Sequence, residues 1–323
     1  MNRMYYAYAR HALVAALRMA RVQPGDAVLL PHFICRDVLA SLKAVQAVPV
    51  FYHVDENLQV PPSIKLPPAR AVLAVNYFGF PADLEQLQRQ LTNQNSVIIE
   101  DNAHGWLSAD EYGVALGTRT SLGITSFRKT IRSYDGAFLH WRSGGDIDIH
   151  ALHQPLLERT DSLPLGYRVR RVVAAVDRRT SLPLMNIARN TLRSSRTQLG
   201  KPPINLLHRE ETELPYHRAI HLSSLTMMSQ CDIPNERQRR REAFQHCQGL
   251  ATEFGLRTPR LYFNSGICPQ GFPFFVDDGD IRQFQHVVNK RKLGEIVTWP
   301  SLPSSSAIPQ ASPLRQLHLV NFL

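Results

Sequence analysis

The sequence predicts an α/β protein: a large domain with a mainly parallel sheet, followed by a smaller C-terminal α+β domain. Two observations carry this. Apolar runs of strand length alternate with helix-forming segments over the first half, the mark of βαβ units. A chain of 323 residues is also too long for one small core and suits one large domain plus a smaller one.

The elements follow in order. Ala12–Ala20 is rich in strong helix formers, and Pro24-Gly25-Asp26 ends that helix. Ala27–Pro31 reads as a short buried strand, Val38–Val45 as a second helix and Val48–Tyr52 as a second strand. Ala71–Val75 and Ser96–Ile99 are two more strands, with a helix over Ala82–Leu91 between them. Leu122–Thr125 is a further apolar stretch, and Gly144-Gly145-Asp146 closes the first half. Ile149 to about Arg196 is basic and helical in stretches, broken at Pro155, Pro164 and Pro183. Lys201-Pro202-Pro203 reads as a linker, dividing the chain into residues 1–200 and 201–323. Beyond it, Arg237–Phe254 is a long helix, and Leu261–Phe263 and Phe272–Val276 are strands. Ile281–Lys290 is a helix and Glu295–Trp299 a final strand. Ser304–Pro313 is loop-like, and an apolar-rich run, Leu317–Phe322, precedes the last residue.

Composition narrows the class. Hydrophobic residues make up 44% and charged residues 20%, an ordinary globular balance. No stretch approaches the ~18–20 apolar residues of a membrane span, and Arg10, His11 and Arg18 interrupt any signal-peptide pattern. Cys35, Cys231, Cys247 and Cys268 are scattered without a C-x-x-C pair. Neither disulfides nor a metal site are expected, and the cytoplasm is the expected compartment. The net charge is +10, with one cluster at Arg168, Arg170, Arg171, Arg178 and Arg179 and another at Arg237, Arg239, Arg240 and Arg241. Such clusters suit nucleic acid, solvated helix faces or a pocket for an anionic small molecule. No nucleic-acid motif accompanies them, so neither nucleic acid nor membrane is an expected partner.

Chemistry concentrates at two strand ends. Ile98-Ile99-Glu100-Asp101-Asn102-Ala103-His104-Gly105 is an apolar run that ends abruptly in acidic residues. A buried parallel strand that delivers a carboxylate to its carboxyl end has this form, and ligands of such sheets sit there. Ser126-Phe127-Arg128-Lys129 places a hydroxyl and a lysine after Leu122–Thr125. A buried Asp and a nearby Lys are the two groups that pyridoxal 5'-phosphate (PLP) needs, one at the pyridine nitrogen and one for the Schiff base. Each residue alone has an ordinary reading: a solvated lysine, or an aspartate in a turn or helix cap.

Four segments occur in a recognisable order. They are Arg10-His11-Ala12-Leu13, Gln23 through Pro31, Asn76-Tyr77-Phe78-Gly79-Phe80-Pro81-Ala82-Asp83, and Glu100 through His104. Together they resemble the DegT/DnrJ/StrS family of aminotransferases, fold-type I PLP-dependent enzymes, many of which aminate nucleotide-linked keto sugars. Ile267 through Pro273 and Trp299-Pro300 resemble the small domain of a variant branch. The resemblance implies that Asp101 pairs with the pyridine nitrogen, His104 with the ring's phenolic oxygen, and Ser126 with the phosphate. It implies that the backbone at Ala9 and Arg10, opening the first helix, receives the same phosphate, and that Lys129 is the Schiff-base lysine.

Three departures stand out. The lysine follows the serine two places sooner than usual. The common Ser-Gly of the phosphate turn is Tyr8-Ala9, which leaves less room for backbone approach. Cys35 stands where many members carry a ring-stacking aromatic, and Phe33 is the candidate substitute. Members usually continue further at the C-terminus, so the small domain is expected to be incomplete. The implied activity is transfer of an amino group from an amino acid, often glutamate, to a keto acceptor such as a keto sugar. The implied assembly is a homodimer with shared sites, to which His217 and Arg218 would reach across if they are not ordinary surface charges. The alternative is a PLP fold that has lost transamination and catalyses dehydration or only binds a ligand.

Overall fold

The computed structural model describes residues 2–144, 147–152, 162–169, 172–173, 206–276, 281–305, 308–309 and 312–323. The linker at Lys201–Pro203, the breaks at Pro155 and Pro183, and Arg170, Arg171, Arg178 and Arg179 lie outside these residues.

The first half folds as β1 (Asn2–Tyr6), α1 (Ala9–Met19), β2 (Ala27–Pro31), α2 (Val38–Ala44), β3 (Val48–Tyr52), β4 (Ala71–Val75), α3 (Leu84–Gln90), β5 (Val97–Asn102), β6 (Leu122–Thr125) and β7 (Ala137–Trp141). These strands form one seven-stranded sheet in the order β1-β7-β6-β5-β4-β2-β3. β2 to β6 run parallel, whereas β7 lies antiparallel to β6 and β1 antiparallel to β7. All five residues of β4 are buried, as expected of a strand covered on both faces. α1 packs its Ala- and Leu-rich face on the sheet with Leu13, Ala16, Leu17 and Met19 fully enclosed.

Element ends follow local chemistry. α3 starts at Leu84, later than the expected Ala82, because the Asp83 side chain accepts the Gln86 N–H at 2.8 Å and caps the helix there. The long second-half helix starts four residues earlier than expected: Asp232 caps it and Pro234 occupies its first turn.

The second half contributes α4 (Leu206–Thr212), α5 (Leu222–Ser229), α6 (Ile233–Glu253), β8 (Gly271–Phe275), α7 (Ile281–Lys290), β9 (Glu295–Thr298) and β10 (Leu317–Asn321). β8, β10 and β9 form an antiparallel sheet with β10 in the middle. The apolar run at the end of the chain is thus the central strand of the small sheet, with Leu317, Leu319, Val320 and Phe322 buried. β1 and β7 likewise had no strand assignment in the sequence. Leu261–Phe263, expected as a strand, is irregular. Its neighbour Arg260 donates its N–H to the Asn57 side chain, and Phe263 stacks on Phe244 at 4.9 Å, so Phe263 is half-buried without a strand partner while Tyr262 is exposed.

The second arginine cluster is structural. Arg237, Arg240 and Arg241 donate to the carbonyls of Leu107, Thr130 and Asn264, and Arg239 pairs with Glu236 at 2.7 Å. Fully buried Arg240 also binds Glu236 and the carbonyls of Pro269 and Gln270, tying α6 to the segment that follows Lys129. Among the described residues no helix is long and apolar enough to cross a membrane.

Candidate active site

The carboxyl ends of β2, β4, β5 and β6 converge with the start of α1 on a cavity partly open to solvent. Asp101, Ala103, His104, Ser126, Arg128 and Lys129 line it from the sheet, Tyr8, Ala9 and Arg10 from the α1 start, and Ile34, Cys35 and Asp37 from the loop after β2. Trp299, just past β9, closes it from the small domain. The Arg36 N–H donates to the Ser301 carbonyl at 2.8 Å and ties those two loops together.

Asp101 sits near the end of β5, opposite Val75 of β4 and Ile124 of β6. Strand alternation sends Asp101 to the cavity and its neighbours Glu100 and Asn102 to the other face. There Glu100 is fully buried. It accepts the Arg119 side chain at 2.7 Å, the Arg119 N–H at 2.9 Å and the Asn76 amide at 2.8 Å. Asp101 is 6% exposed and accepts the Ala103 N–H at 2.9 Å. Burial pushes its carboxyl above the usual range, opposed by that N–H and by the Lys129 charge.

Lys129 ends the short 3-10 turn Phe127–Lys129. The turn is pinned from both sides: the Arg128 N–H binds the Gly136 carbonyl, and the Gly136 N–H binds the Ala7 carbonyl, just before α1. Gly136 is required here. Its φ is +137°, and an added Cβ would lie 2.1 Å from the Phe127 ring. Burial pushes the Lys129 ammonium below the usual lysine range; Arg128 adds to this, and Cys35 and Asp101 oppose it.

The Lys129 Nζ lies 3.2 Å from Nε2 of His104. The other ring nitrogen, Nδ1, accepts the Phe78 N–H at 3.4 Å, so we assign the imidazole proton to Nε2, facing the lysine. Burial, reinforced by Lys129, holds His104 well below the usual histidine range, and the ring is neutral. Phe78 stacks on His104 at 5.9 Å, and Trp299 meets it edge-on at 4.8 Å.

The anionic end of a PLP molecule has a matching recess. Ser126 is 1% exposed, and its Oγ has no hydrogen-bond partner. α1 has no side-chain cap, so the N–H groups of its first turn face the same region with the positive end of the helix. A buried carboxylate, a lysine and an unfilled hydroxyl beside a helix start fit the cofactor's three anchoring needs.

Six of the seven candidate residues from the sequence line this cavity: Ala9, Arg10, Asp101, His104, Ser126 and Lys129. Phe33 does not. It is fully buried behind the cavity wall, 5.5 Å from Trp299 and 5.9 Å from Tyr77, because the chain turns its neighbours Ile34 and Cys35 inward instead. His217 and Arg218 are engaged within the subunit. His217 stacks on His11 at 4.1 Å, and Arg218 pairs with Asp135 at 2.5 Å. Sequence reading missed Arg128 and Trp299 as lining residues. Adjacency to the lysine was the available signal for the first; none existed for the second, about 170 residues away.

Residues 7–138 match the model of the DegT/DnrJ/EryC1/StrS aminotransferase family. Over this stretch the chain is similar to that family. A dTDP-3-amino-3,4,6-trideoxy-alpha-D-glucose transaminase of Streptomyces venezuelae is 32% identical over 123 residues, 36% of this chain and 32% of the relative. The curated relatives are thus matched over about a third of their length or less. Among solved structures, S. venezuelae DesV in complex with a ketimine intermediate superposes with a TM-score of 0.61 at 16% identity, covering 99% of this chain and 79% of that one. An E. coli GDP-4-keto-6-deoxy-D-mannose-3-dehydratase with bound hydrated PLP gives 0.59 at 14% identity, covering 99% and 83%. The fold is therefore the fold-type I α/β architecture shared by this DegT/DnrJ/EryC1/StrS family, over the small sheet as well as the matched large one.

Proposed function

We propose that this chain is a PLP-dependent aminotransferase that moves an amino group from an amino acid to a keto acceptor, with nucleotide-linked keto sugars as the acceptor class. The observation that carries this is the meeting of Asp101 and Lys129 in one cavity beside the unpartnered Ser126 hydroxyl. The names of the relatives support the substrate class. PLP, when bound, supplies an electron sink for negative charge at the substrate carbon.

The protein's own groups have separable tasks. Asp101 holds a proton at the pyridine nitrogen, and the Ala103 N–H keeps its carboxylate aimed. Lys129 would hold the cofactor covalently through its Nζ. Its free amine would also carry a proton to and from the substrate carbon. Its lowered proton affinity suits that base role. The His104 proton on Nε2 orients the lysine nitrogen and is available to the phenolic oxygen of the ring. Trp299 and Phe78 fix the imidazole from two sides and exclude water. We further propose that residues 1–200 act as the cofactor domain and 201–323 as the small domain, in a cytoplasmic homodimer.

The test is an absorption spectrum with added PLP, before and after borohydride, for wild type and Lys129→Ala. The expected result is a visible band that borohydride fixes on Lys129 and that the variant lacks. A band unchanged in the variant removes Lys129 from the role. Loss of transamination in favour of dehydration has two observations behind it: the shortened Ser126-to-Lys129 spacing, and the resemblance in fold to a dehydratase. Incubation with ¹⁵N-glutamate and a keto sugar separates the two, because only transamination leaves the label in the product.

A further inference from the structure

We propose that Arg128 is a phosphoryl-binding residue: its guanidinium, with Ser126 Oγ and the first turn of α1, holds a phosphate dianion in the cavity. The inference rests on the PLP reading only for the source of the phosphate.

The argument is one of charge and hydrogen-bond accounting. Arg128 lines the cavity, and its Nε is buried with no hydrogen-bond partner. Among the described residues no carboxylate lies within ion-pair distance of it. The two nearby acids are committed elsewhere: Asp37 to Arg10 at 3.6 Å, and Asp135 to Arg218 at 2.5 Å. The contact described for the guanidinium is the Tyr8 ring, 5.8 Å from its centre, and Arg218 lies 5.4 Å from the centre of the same ring. Arg128 is half-buried, and a guanidinium whose Nε is enclosed without a partner or counter-charge is costly unless an anion completes it. The anion it calls for lies where Ser126 Oγ is also unsatisfied and where α1 presents uncapped N–H groups.

The local sequence supplies the reason for an arginine. Tyr8-Ala9 opens α1 with side chains where a smaller pair would let the backbone close on a phosphate. A planar guanidinium reaches further and binds two phosphate oxygens at once. The turn that carries it is rigid, because the Arg128 N–H is bonded to Gly136. Arg128 thereby adds charge where backbone approach is restricted.

The experiment compares apo-protein binding of PLP, of pyridoxal (which lacks the phosphate) and of UDP, in wild type, Arg128→Gln and Arg128→Lys. Inorganic phosphate is scored separately by thermal shift. The expected result is that Arg128→Gln weakens PLP about 10- to 100-fold and leaves pyridoxal within about twofold. Arg128→Lys recovers part of the loss, and the stabilisation of the apo-protein by millimolar phosphate disappears in Arg128→Gln. Equal losses for PLP and pyridoxal, or undiminished PLP binding, overturn the proposal when UDP binding and the phosphate stabilisation are also unchanged. Loss of UDP binding with an intact PLP-to-pyridoxal ratio supports the phosphoryl site but assigns it to the substrate. If neither PLP nor pyridoxal binds wild type, the PLP reading fails. The phosphate shift then still decides for or against Arg128.

Discussion

Asp101 and Glu100 are adjacent carboxylates with opposite employment, and the difference is set by which face of β5 each one takes. Glu100 is completed by Arg119 and Asn76 and has no capacity left for a ligand. Asp101 has one backbone donor and faces the cavity. Two substitutions separate these roles. Asp101→Asn keeps the shape but cannot stabilise a proton on the pyridine nitrogen. Transaminase turnover is expected to fall at least about a hundredfold with the melting temperature little changed, measured by coupled glutamate assay and calorimetry. Glu100→Gln leaves the Arg119 charge buried without its partner and is expected to cost about 3–5 kcal/mol in denaturant unfolding. The cavity-lining residues legible in the sequence were Asp101, inside β5, and Ser126 and Lys129, in the short turn that follows β6, because a strand's end fixes where the chain just beyond it goes. Phe33 was misplaced because in a loop the sequence does not say which of three neighbours faces inward.

At the scale of elements, the lysine turn depends on its supports. Gly136 is the position where a side chain is excluded by both backbone angle and space. Gly136→Ala is expected to displace Phe127 and, with it, Ser126 and Arg128. PLP affinity should fall at least about tenfold and stability by about 1–3 kcal/mol, read by cofactor titration and thermal melting. α1 carries a second, independent dependence. His11 is buried against His217, its ring nitrogen bonded to the Pro215 carbonyl, and burial lowers its pKa to about 4. His32 and His140 are likewise lowered to about 4 by burial. In the unfolded chain these rings take up protons near their ordinary value, so between about 6.5 and 4 the unfolded state binds more protons. Stability is therefore expected to be flat above about pH 6.5 and to fall as the pH drops towards 4. His11→Gln, which keeps a donor for Pro215 but cannot charge, should remove about 1–3 kcal/mol of that fall in melts across the range.

Over the whole molecule, the small domain is built around its last strand. β10 pairs with both β8 and β9, and its side chains fill the core between that sheet and its helices. Ending the chain after Gln316 removes the middle of the sheet. It is expected to leave residues 206–316 open to limited proteolysis, and to lose cofactor binding because Trp299 is no longer held over His104.

The βα alternation, the parallel core of the large sheet and the strand-end position of Asp101 could be read from the residues alone. Those features are written in contiguous residues: apolar runs, breakers and caps act within a few positions. The sequence did not determine that β1 and β7 pair antiparallel on one edge, or that the apolar tail runs down the centre of the second sheet. Nor did it determine that the arginines of α6 satisfy carbonyls, or that Trp299 and Arg128 face the cavity. Each of these depends on which distant backbone supplies the partner, and the folded arrangement selects among a strand, a loop and a clamp when the local pattern allows all three.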